Sequence, residues 1–251
     1  MSNVAVVIPA RLGSTRLPKK ALADLAGHPM VVRTAMAASK LGGISRIIVA
    51  TDSEEIKRAV EKAGFEGRLT PSELATGTER VAYVARDLNE EIIVNVQGDE
   101  PLIEPLAIQA AMDPVLKNGR RMGSAFTHFQ SYEDFLKPSF VKVLVNDLGD
   151  AIYFSRFAIP YRQGPVSEAE LLADPKIGRH LGIYVYEREF LLEYAGWPSP
   201  LIERAESLEQ LRVLQRGISL GMGRTAHASI GVDTQEDLER VREIFRERGQ
   251  V

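Results

Sequence analysis

The chain has 251 residues, of which 45% are hydrophobic and 26% charged, and its formal net charge is −3. This composition predicts a globular protein, and the small negative charge does not favour binding to nucleic acid or to a membrane. Cysteine is absent, which excludes disulfides, thiolate catalysis and cysteine-bound zinc. No secretory signal or long apolar span is recognisable, so we expect a cytoplasmic protein.

The first stretch of interest joins an apolar strand to a basic loop. Residues 4–8 are all apolar, as expected for a strand that is buried on both faces. The loop that follows, up to residue 20, holds two arginines, two lysines, a glycine and two hydroxyl residues. Such a loop at the carboxyl end of a parallel strand suits an anion, and we consider a nucleotide triphosphate. A solvated basic surface loop fits this stretch equally well.

Strand-like and helix-like segments alternate through the first half of the chain. The predicted helices cover residues 31–41, 54–63, 78–88 and 105–117. The predicted strands after the first cover residues 44–50 and 65–69, with another that begins at residue 92. Short connections between alternating strands and helices favour a parallel sheet with helices on its faces, which is an α/β fold.

The alternation changes from about residue 122. The predicted strands cover residues 122–129, 141–146, 151–154 and 180–186, with a hairpin turn at 147–150. The predicted helices cover residues 132–136, 187–195, 207–216 and 234–248. One or two strands are expected within 219–228, and a polar, mobile loop at 163–176. We therefore expect one domain over residues 1–251, built on a mixed sheet, with a distinct subregion at about 120–200.

Two acidic residues follow apolar segments. Asp99 comes after the strand that begins at Ile92, and Asp233 comes after Gly231-Val232. Carboxylates at strand ends facing a basic loop suit a Mg²⁺–nucleotide site, because magnesium takes one or two carboxylates and adds phosphates and water. The alternatives are local: Asp99 can be a turn residue, and Asp233 can be the N-cap of the last helix.

Other polar residues are candidates of the same kind. Arg11, Arg16 and Lys20 are suited to phosphates, and residues 76–80 could offer donors at the start of a helix or simply cap it. Taken one at a time, Arg156, His180 and the pair Glu209-Gln210 are better explained by structural roles.

The motifs taken together resemble the CMP-Kdo synthetase (3-deoxy-manno-octulosonate cytidylyltransferase) family. They occur in the family's order and extend over nearly the whole chain. The motifs lie at residues 9–18, 50–52, 76–80, 95–101, 153–160, 179–184, 208–212 and 231–238. The most characteristic of them reads Asn95-Val96-Gln97-Gly98-Asp99-Glu100-Pro101.

This resemblance implies a three-layer, Rossmann-like nucleotide-diphospho-sugar transferase fold with a mixed, mainly parallel sheet. It implies a cytoplasmic homodimer that uses Mg²⁺ to transfer CMP from CTP to Kdo for lipopolysaccharide synthesis. The region at about 120–200 would then serve dimerisation and sugar binding, with apolar residues of 120–160 and 183–197 at the dimer surface. Alternative readings are a cytidylyltransferase for 8-amino-Kdo or another acid sugar, a guanylyltransferase, and a binding protein without catalysis.

The resemblance also implies roles for individual residues. The residues implied in catalysis are Arg11, Lys20, Asp99 and Asp233, of which Asp99 and Asp233 would bind the metal. Those implied in nucleotide binding are Ala10, Arg11, Arg16, Lys20, Thr76 and Arg80. Those implied in sugar binding are Gln97, Arg156, His180, Tyr184, Glu209 and Gln210.

The chain departs from the family in the basic loop and at the start of the last helix, and the segment before Thr76 is also less typical. Lys19 replaces the family's glycine in the basic loop, which leaves Lys20 as the residue that matches the family's lysine. Gln235 replaces a proline and loses only a favourable first-turn residue of the last helix.

Overall fold

The computed structural model describes residues 3–14 and 17–249. Its strands are β1 (Val4–Ala10), β2 (Asp24–Leu25), β3 (His28–Pro29), β4 (Arg46–Thr51), β5 (Glu66–Leu69), β6 (Ile92–Val96), β7 (Met122–Thr127), β8 (Lys142–Val145), β9 (Ala151–Ser155), β10 (Ile177–Glu187) and β11 (Leu220–Arg224). Its α-helices are α1 (Met30–Ala38), α2 (Glu54–Lys62), α3 (Gly77–Ala85), α4 (Pro105–Asn118), α5 (Tyr132–Leu136), α6 (Glu168–Ala173), α7 (Arg188–Ala195), α8 (Leu201–Glu206), α9 (Leu211–Gln215) and α10 (Gln235–Glu247). A 3₁₀ helix covers Lys20–Leu22. None of the helices in these ranges is long and apolar enough to span a membrane.

The central sheet is mixed and mainly parallel. Its strands lie in the order β11-β7-β10-β6-β1-β4-β5. β1 pairs in parallel with β4 and β6, whereas β10 runs antiparallel to both β6 and β7. The predicted α/β architecture is confirmed. Because β1 and β6 are parallel neighbours, their carboxyl ends meet at one edge of the sheet.

Helices cover both faces of this sheet. Successive residues of β1 point to opposite faces, and all seven residues of the strand are buried. Val4, Val6 and Ile8 share an apolar cluster with α1, α2 and α4. Ala5 and Val7 share another with α3, α7 and α9. The result is the three-layer arrangement that the sequence predicts.

The β8–β9 hairpin lies beyond the carboxyl end of β6. Residues 183–187 of the 11-residue strand β10 pair with β6, whereas residues 177–179 pair with β8. Because β10 is antiparallel to β6, its earlier residues extend past the end of β6. This long strand therefore brings the hairpin to the edge where β1 and β6 end.

A smaller apolar cluster holds α10 beside the basic loop. Leu17 and Leu25 pack there with Val232 and Phe245. Thr234 is the N-cap of α10, since its side chain accepts from the Asp237 amide, and the Asp237 side chain completes a capping box. The alternative reading of Asp233 as the N-cap is therefore wrong, and Asp233 precedes the cap.

Two segments differ from the sequence prediction. Residues 163–176 contain α6, which begins with a capping box formed by Ser167 and Glu170. The helix predicted over 207–216 is shortened to α9, and the helix before it, α8, was not predicted. The two helices are separated by a turn that begins at Ser207, where φ is 52°. A left-handed residue cannot continue a right-handed helix, so the chain turns there.

Candidate active site

A cavity of about 320 Å³ opens at the carboxyl ends of β1 and β6. Its wall is formed by the basic loop, the turn before α3, the residues after β6, and Asp233. The predicted site residues that line it are Ala10, Arg11, Lys20, Thr76, Arg80, Gln97, Asp99 and Asp233. The structure thus brings four separate parts of the chain to one cavity.

Lys20 links the two carboxylates in this cavity. Its Nζ donates to Asp99 Oδ2 at 2.6 Å and to Asp233 Oδ1 at 2.9 Å. Although burial lowers the pKa of Lys20, the charges and hydrogen bonds of Asp99 and Asp233 raise it overall. Lys20 is therefore cationic at neutral pH, and it holds the two acids at the same place.

Lys19 points to a different part of the structure. Its backbone is left-handed, with φ of 51°, and its ammonium group pairs with Glu55 of α2 at 2.9 Å. Glycine adopts this backbone conformation without the steric cost that a Cβ atom brings. The replacement of the family's glycine therefore places a strained residue in the basic loop, and its charge is directed to α2.

Gly98 allows the end of β6 to approach β1 closely. A Cβ atom at this position would lie 2.9 Å from the carbonyl oxygen of Pro9 and 3.5 Å from Cβ of Ala10. The distance to the Pro9 carbonyl oxygen is shorter than a Cβ atom tolerates, so a side chain at this position would force the backbone to shift. The absence of a side chain at Gly98 thus lets Asp99 lie beside the basic loop.

Arg80 lines the cavity, but much of its guanidinium group is occupied by the protein. It donates to Asp52 Oδ2 at 3.2 Å and to the Thr70 hydroxyl, and the residue is 3% exposed. Asp52 Oδ1 in turn accepts from the Leu12 amide at 3.3 Å. Arg80 therefore braces the basic loop through Asp52, in addition to any contact with a nucleotide.

Thr76 is the N-cap of α3. Its side chain accepts from the Glu79 amide, and the Glu79 carboxylate reaches back to the amide of Thr76. Both readings of this segment from the sequence are compatible with the structure, since the cap also lines the cavity. Arg11 is exposed in the basic loop, and the predicted nucleotide-binding residue Arg16 lies outside the described residues.

The predicted sugar-side residues beyond Gln97 do not line the cavity itself. Three of them, His180, Tyr184 and Gln210, form a connected polar layer. Tyr184 Oη donates to Gln210 Oε1 at 2.9 Å. The ring of His180 lies 5.5 Å from that of Tyr184, and its Nε2 is 2.8 Å from Ser124 Oγ. Burial lowers the pKa of His180 to about 3. His180 is therefore a neutral hydrogen-bonding group at physiological pH.

Gln97 connects this polar layer to the cavity. Its Nε2 donates to Asn95 Oδ1 at 3.0 Å, and Asn95 lies directly opposite Tyr184 in the pairing of β6 with β10. Side chains of directly opposite residues share one face of a sheet. Asn95 is 1% exposed, and the sequence analysis gave it no role because a buried polar residue in an apolar strand is not recognisable as such.

Glu209 was predicted to lie within a helix, but it lies in the turn between α8 and α9. Its Oε2 accepts from Thr78 Oγ1 at 2.8 Å, which connects it to the start of α3. Burial raises the pKa of Glu209, against the hydrogen bond from Thr78 and the charge of Arg212, which lower it. Within the described chain, Glu209 Oε1 and Gln210 Nε2 are buried without a hydrogen-bond partner.

Arg156 follows β9 and is held by backbone carbonyls. Its Nε donates to Glu206 O at 2.8 Å, its Nη1 to Pro138 O at 3.2 Å, and its Nη2 to Ser207 O at 3.4 Å. Among the described residues, no carboxylate forms an ion pair with its side chain. The guanidinium group is thus fixed in position without charge neutralisation, an arrangement suited to an external carboxylate.

Glu100 is a further acidic group beside the cavity that the sequence analysis did not single out. It accepts from the Ser229 hydroxyl. Burial above all raises the pKa of Glu100 to about 7, and the charges of Asp99 and Asp233 contribute. Glu100 belongs to the motif at residues 95–101, but its burial could not be predicted because it depends on the distant segment around Ser229.

The metal-binding capacity of the site rests on Asp99 and Asp233. Within residues 3–14 and 17–249, no group of three or more His, Cys, Asp or Glu side chains could hold a metal ion. Two carboxylates are nevertheless the number that magnesium takes when phosphates and water supply its other ligands. The donor set therefore fits a metal–nucleotide complex better than a bare metal ion.

The chain is similar to known cytidylyltransferases. A family model described as Cytidylyltransferase matches residues 5–220. The 3-deoxy-manno-octulosonate cytidylyltransferase of Trichlorobacter lovleyi is 43% identical over 250 residues, which cover 98% of this chain and 99% of that protein. The enzyme of the same name from Geobacter sulfurreducens is 44% identical over 249 residues, which cover 97% of this chain and 100% of that protein.

A solved structure agrees with these relatives. It is described as CMP:2-keto-3-deoxy-manno-octonic acid synthetase complexed with CTP, and it superposes with a TM-score of 0.90 at 36% identity. The match covers 98% of this chain and 100% of the other. The chain belongs to the 3-deoxy-manno-octulosonate cytidylyltransferase family of cytidylyltransferases.

Proposed function

We propose that the protein transfers CMP from CTP to the anomeric hydroxyl of Kdo, releasing pyrophosphate, and so supplies activated Kdo for lipopolysaccharide synthesis. The observation that carries this proposal is that Lys20 donates to both Asp99 and Asp233 in the cavity. Gln97 connects this cavity to the polar layer. The relatives named above are Kdo enzymes, which does not favour the alternative of 8-amino-Kdo.

In this reaction the sugar hydroxyl attacks the α-phosphorus of CTP in line, and the bond from that phosphorus to the bridging oxygen of pyrophosphate breaks. Negative charge grows on the pyrophosphate, and the hydroxyl loses its proton. Positioning and charge neutralisation dominate such transfers. Arg11 and Lys20 would bind the triphosphate and stabilise the leaving charge, while Ala10, Thr76 and Arg80 would form the rest of the nucleotide wall.

We place the sugar acid between the cavity and the polar layer. Arg156 would bind its carboxylate, because this guanidinium is held only by carbonyl groups. Gln97, His180, Tyr184, Glu209 and Gln210 would bind its hydroxyls. A neutral His180 and two buried atoms without a hydrogen bond among the described residues, Gln210 Nε2 and Glu209 Oε1, support this assignment, since hydroxyls can satisfy both donors and acceptors. Glu209 Oε1 also lies 3.5 Å from Arg212 Nη2, as an ion pair.

We also propose that Asp99 and Asp233 hold Mg²⁺ when CTP is bound. The ion would neutralise phosphate charge and lower the pKa of the attacking hydroxyl. Lys20, which bridges both acids, would then be released to a phosphate oxygen.

The proposed assembly is a cytoplasmic homodimer. Leu148, Ile152 and Phe157, in and beside β9, are 74%, 57% and 76% exposed, and β9 pairs only with β8 among the named strands. Exposed apolar residues at a sheet edge suit pairing with a second copy. The other segment predicted for the dimer surface is 183–197. Its residues Phe190 and Tyr194 are buried within the chain and are not available for a dimer contact.

The dimer is tested by light scattering on Ile152→Asp, with Leu106→Asp as the control. Leu106 is 60% exposed but lies on α4. We expect the first variant to halve the measured mass and the second to leave it unchanged. A monomeric wild type would refute the proposal.

The reaction is tested by measuring pyrophosphate release from CTP, GTP, UTP and ATP, each combined with Kdo, 8-amino-Kdo and sialic acid. We expect release only with CTP and Kdo at full rate, and only with Mg²⁺. Preference for 8-amino-Kdo or GTP would contradict the proposal, and no release with any pair would favour a non-catalytic binding protein.

A further inference from the structure

Lys142 is a buried lysine that the proposed mechanism does not use. It begins β8 and is 0% exposed. Its Nζ donates to three backbone carbonyls: Lys137 O at 3.0 Å, Phe140 O at 2.8 Å and Arg156 O at 2.6 Å. Among the described residues no carboxylate forms an ion pair with it. A buried ammonium group is costly unless its hydrogen bonds are satisfied, and here all three donors are used.

The three carbonyls belong to two segments that meet at Arg156. Lys137 and Phe140 bracket the segment between α5 and β8, and Pro138 in the same segment accepts from Arg156 Nη1 at 3.2 Å. The Arg156 carbonyl is the third acceptor. Lys142 therefore holds both the backbone of Arg156 and the segment to which its guanidinium group is bonded.

The opposite side of Arg156 is held in a similar way. The Glu206 carboxylate accepts from the Arg156 amide at 2.9 Å and from Ser155 Oγ at 2.6 Å, while the Glu206 carbonyl accepts from Arg156 Nε at 2.8 Å. Lys142 and Glu206 thus fix the end of β9 from two directions. Burial lowers the pKa of Lys142, and the charge of Arg156 does so too, whereas the charge of Glu206 raises it.

We propose that Lys142 is a positioning residue for the sugar acid. It sets the place of Arg156 by binding the Arg156 carbonyl and the carbonyls of Lys137 and Phe140, on either side of the Pro138 carbonyl that accepts from the guanidinium group. This inference rests on the proposed role of Arg156 in binding the sugar carboxylate. Lys142 touches neither substrate. Lys142 keeps Arg156 ordered before the sugar acid binds, so that binding does not have to include the entropic cost of ordering this side chain.

The test compares Lys142→Met with a matched control, Arg120→Met. Arg120 pairs with Asp150 at 2.7 Å, at the other end of the β8–β9 hairpin. Both variants remove a cation that is bonded to this hairpin, although Arg120 is only partly buried. Only the first variant removes contacts to Arg156. We expect Lys142→Met to raise KM for Kdo about tenfold and to leave KM for CTP within twofold. Arg120→Met should lower the melting temperature without changing either KM.

A double-mutant cycle with Arg156→Ala separates the inference from the proposed function. In the Arg156→Ala background, Lys142→Met should have no further effect on KM for Kdo, since both changes remove the same interaction. Additive effects, or an unchanged KM for Kdo in Lys142→Met alone, would overturn the role of Lys142. An unchanged KM for Kdo in Arg156→Ala would instead overturn the role of Arg156 itself. If Lys142→Met does not fold, Lys142→Gln replaces it, because its amide can still donate to two carbonyls.

Discussion

Lys20 and Asp99 are 79 residues apart in the chain, yet Lys20 Nζ lies 2.6 Å from Asp99 Oδ2. The contact joins the loop after β1 to the loop after β6. The two loops are adjacent because their strands pair in parallel and because Gly98 allows their close approach. In the proposed function, Mg²⁺ would replace this ammonium group between the two acids when the triphosphate enters.

We expect Lys20→Met to lower kcat/KM for CTP by about 10², because a charge that binds the triphosphate and the leaving pyrophosphate is lost. Steady-state kinetics with CTP as the varied substrate measures the effect. Lys19→Met is the matched control, since Lys19 pairs with Glu55 on the surface. A larger loss in the Lys19 variant would mean that the basic loop has been interpreted incorrectly.

We expect Asp99→Asn and Asp233→Asn each to lower turnover by about 10² or more, because an amide is a weaker ligand for a hard cation than a carboxylate. Calorimetry of CTP binding with and without Mg²⁺ gives a second readout, in which the variants should lose the enhancement by the metal. Asp113→Asn, on the surface of α4 and paired with Lys117, serves as the control. Metal-enhanced CTP binding that survives in a variant would remove that residue from the metal site.

We expect the free energy of unfolding to fall in acid partly through His180. Its pKa is about 3 in the folded protein because of burial, against an ordinary value of about 6.5 when unfolded. Between these values the unfolded chain binds a proton that the folded protein does not, so stability decreases as the pH falls. The loss from this residue should reach about 2 kcal/mol at pH 5.

Urea unfolding of the wild type and of His180→Gln at pH 7.5 and pH 5 tests this prediction. Other groups titrate equally in both proteins, so the wild type should lose about 2 kcal/mol more than the variant. An equal loss of unfolding free energy in the two proteins would contradict the prediction, because it would mean that folding does not lower the pKa of His180.

We expect Gly98→Ala to destabilise the fold by about 2 kcal/mol, because the new Cβ atom would overlap with the backbone at Pro9. The CTP affinity should also decrease, since Asp99 would shift away from the basic loop. Gly13→Ala is the control, because a Cβ atom there meets nothing within 4 Å. Urea unfolding compares the two, and an equal stability of both variants would contradict the close approach described for Gly98.

Much of the fold could be predicted because its signals are local. The apolar run of β1 and the Gly and Thr residues that border the first helices are enough to indicate alternating strands and helices. The helix α8 was missed, and the next helix was predicted to begin at Ser207 instead of Leu211, since a left-handed serine has no distinct signal. The helix at 168–173 was missed too, because its capping box lies inside a polar stretch.

The site was predicted unevenly for a physical reason. Asp99 follows from its place just after a strand, whereas Lys20 and Asp233 follow mainly from the motif resemblance, since no strand ends directly before either of them. Their mutual distances depend on the sheet order, which no local pattern states. Asn95 and Lys142 were missed because polar residues within strands are usually interpreted as surface residues, and their burial follows only from the elements packed around them.

The residues proposed to bind the two substrates come from different parts of the sequence. The proposed sugar-side residues other than Gln97 lie between Arg156 and Gln210, and Lys142 lies shortly before them. The residues placed at the nucleotide lie within the first 99 residues, apart from Asp233. If the proposed roles hold, acceptor specificity is carried, apart from Gln97, by one uninterrupted piece of chain. Chimeras that exchange this piece between relatives should change the accepted sugar acid while the preference for CTP is inherited from the other parent.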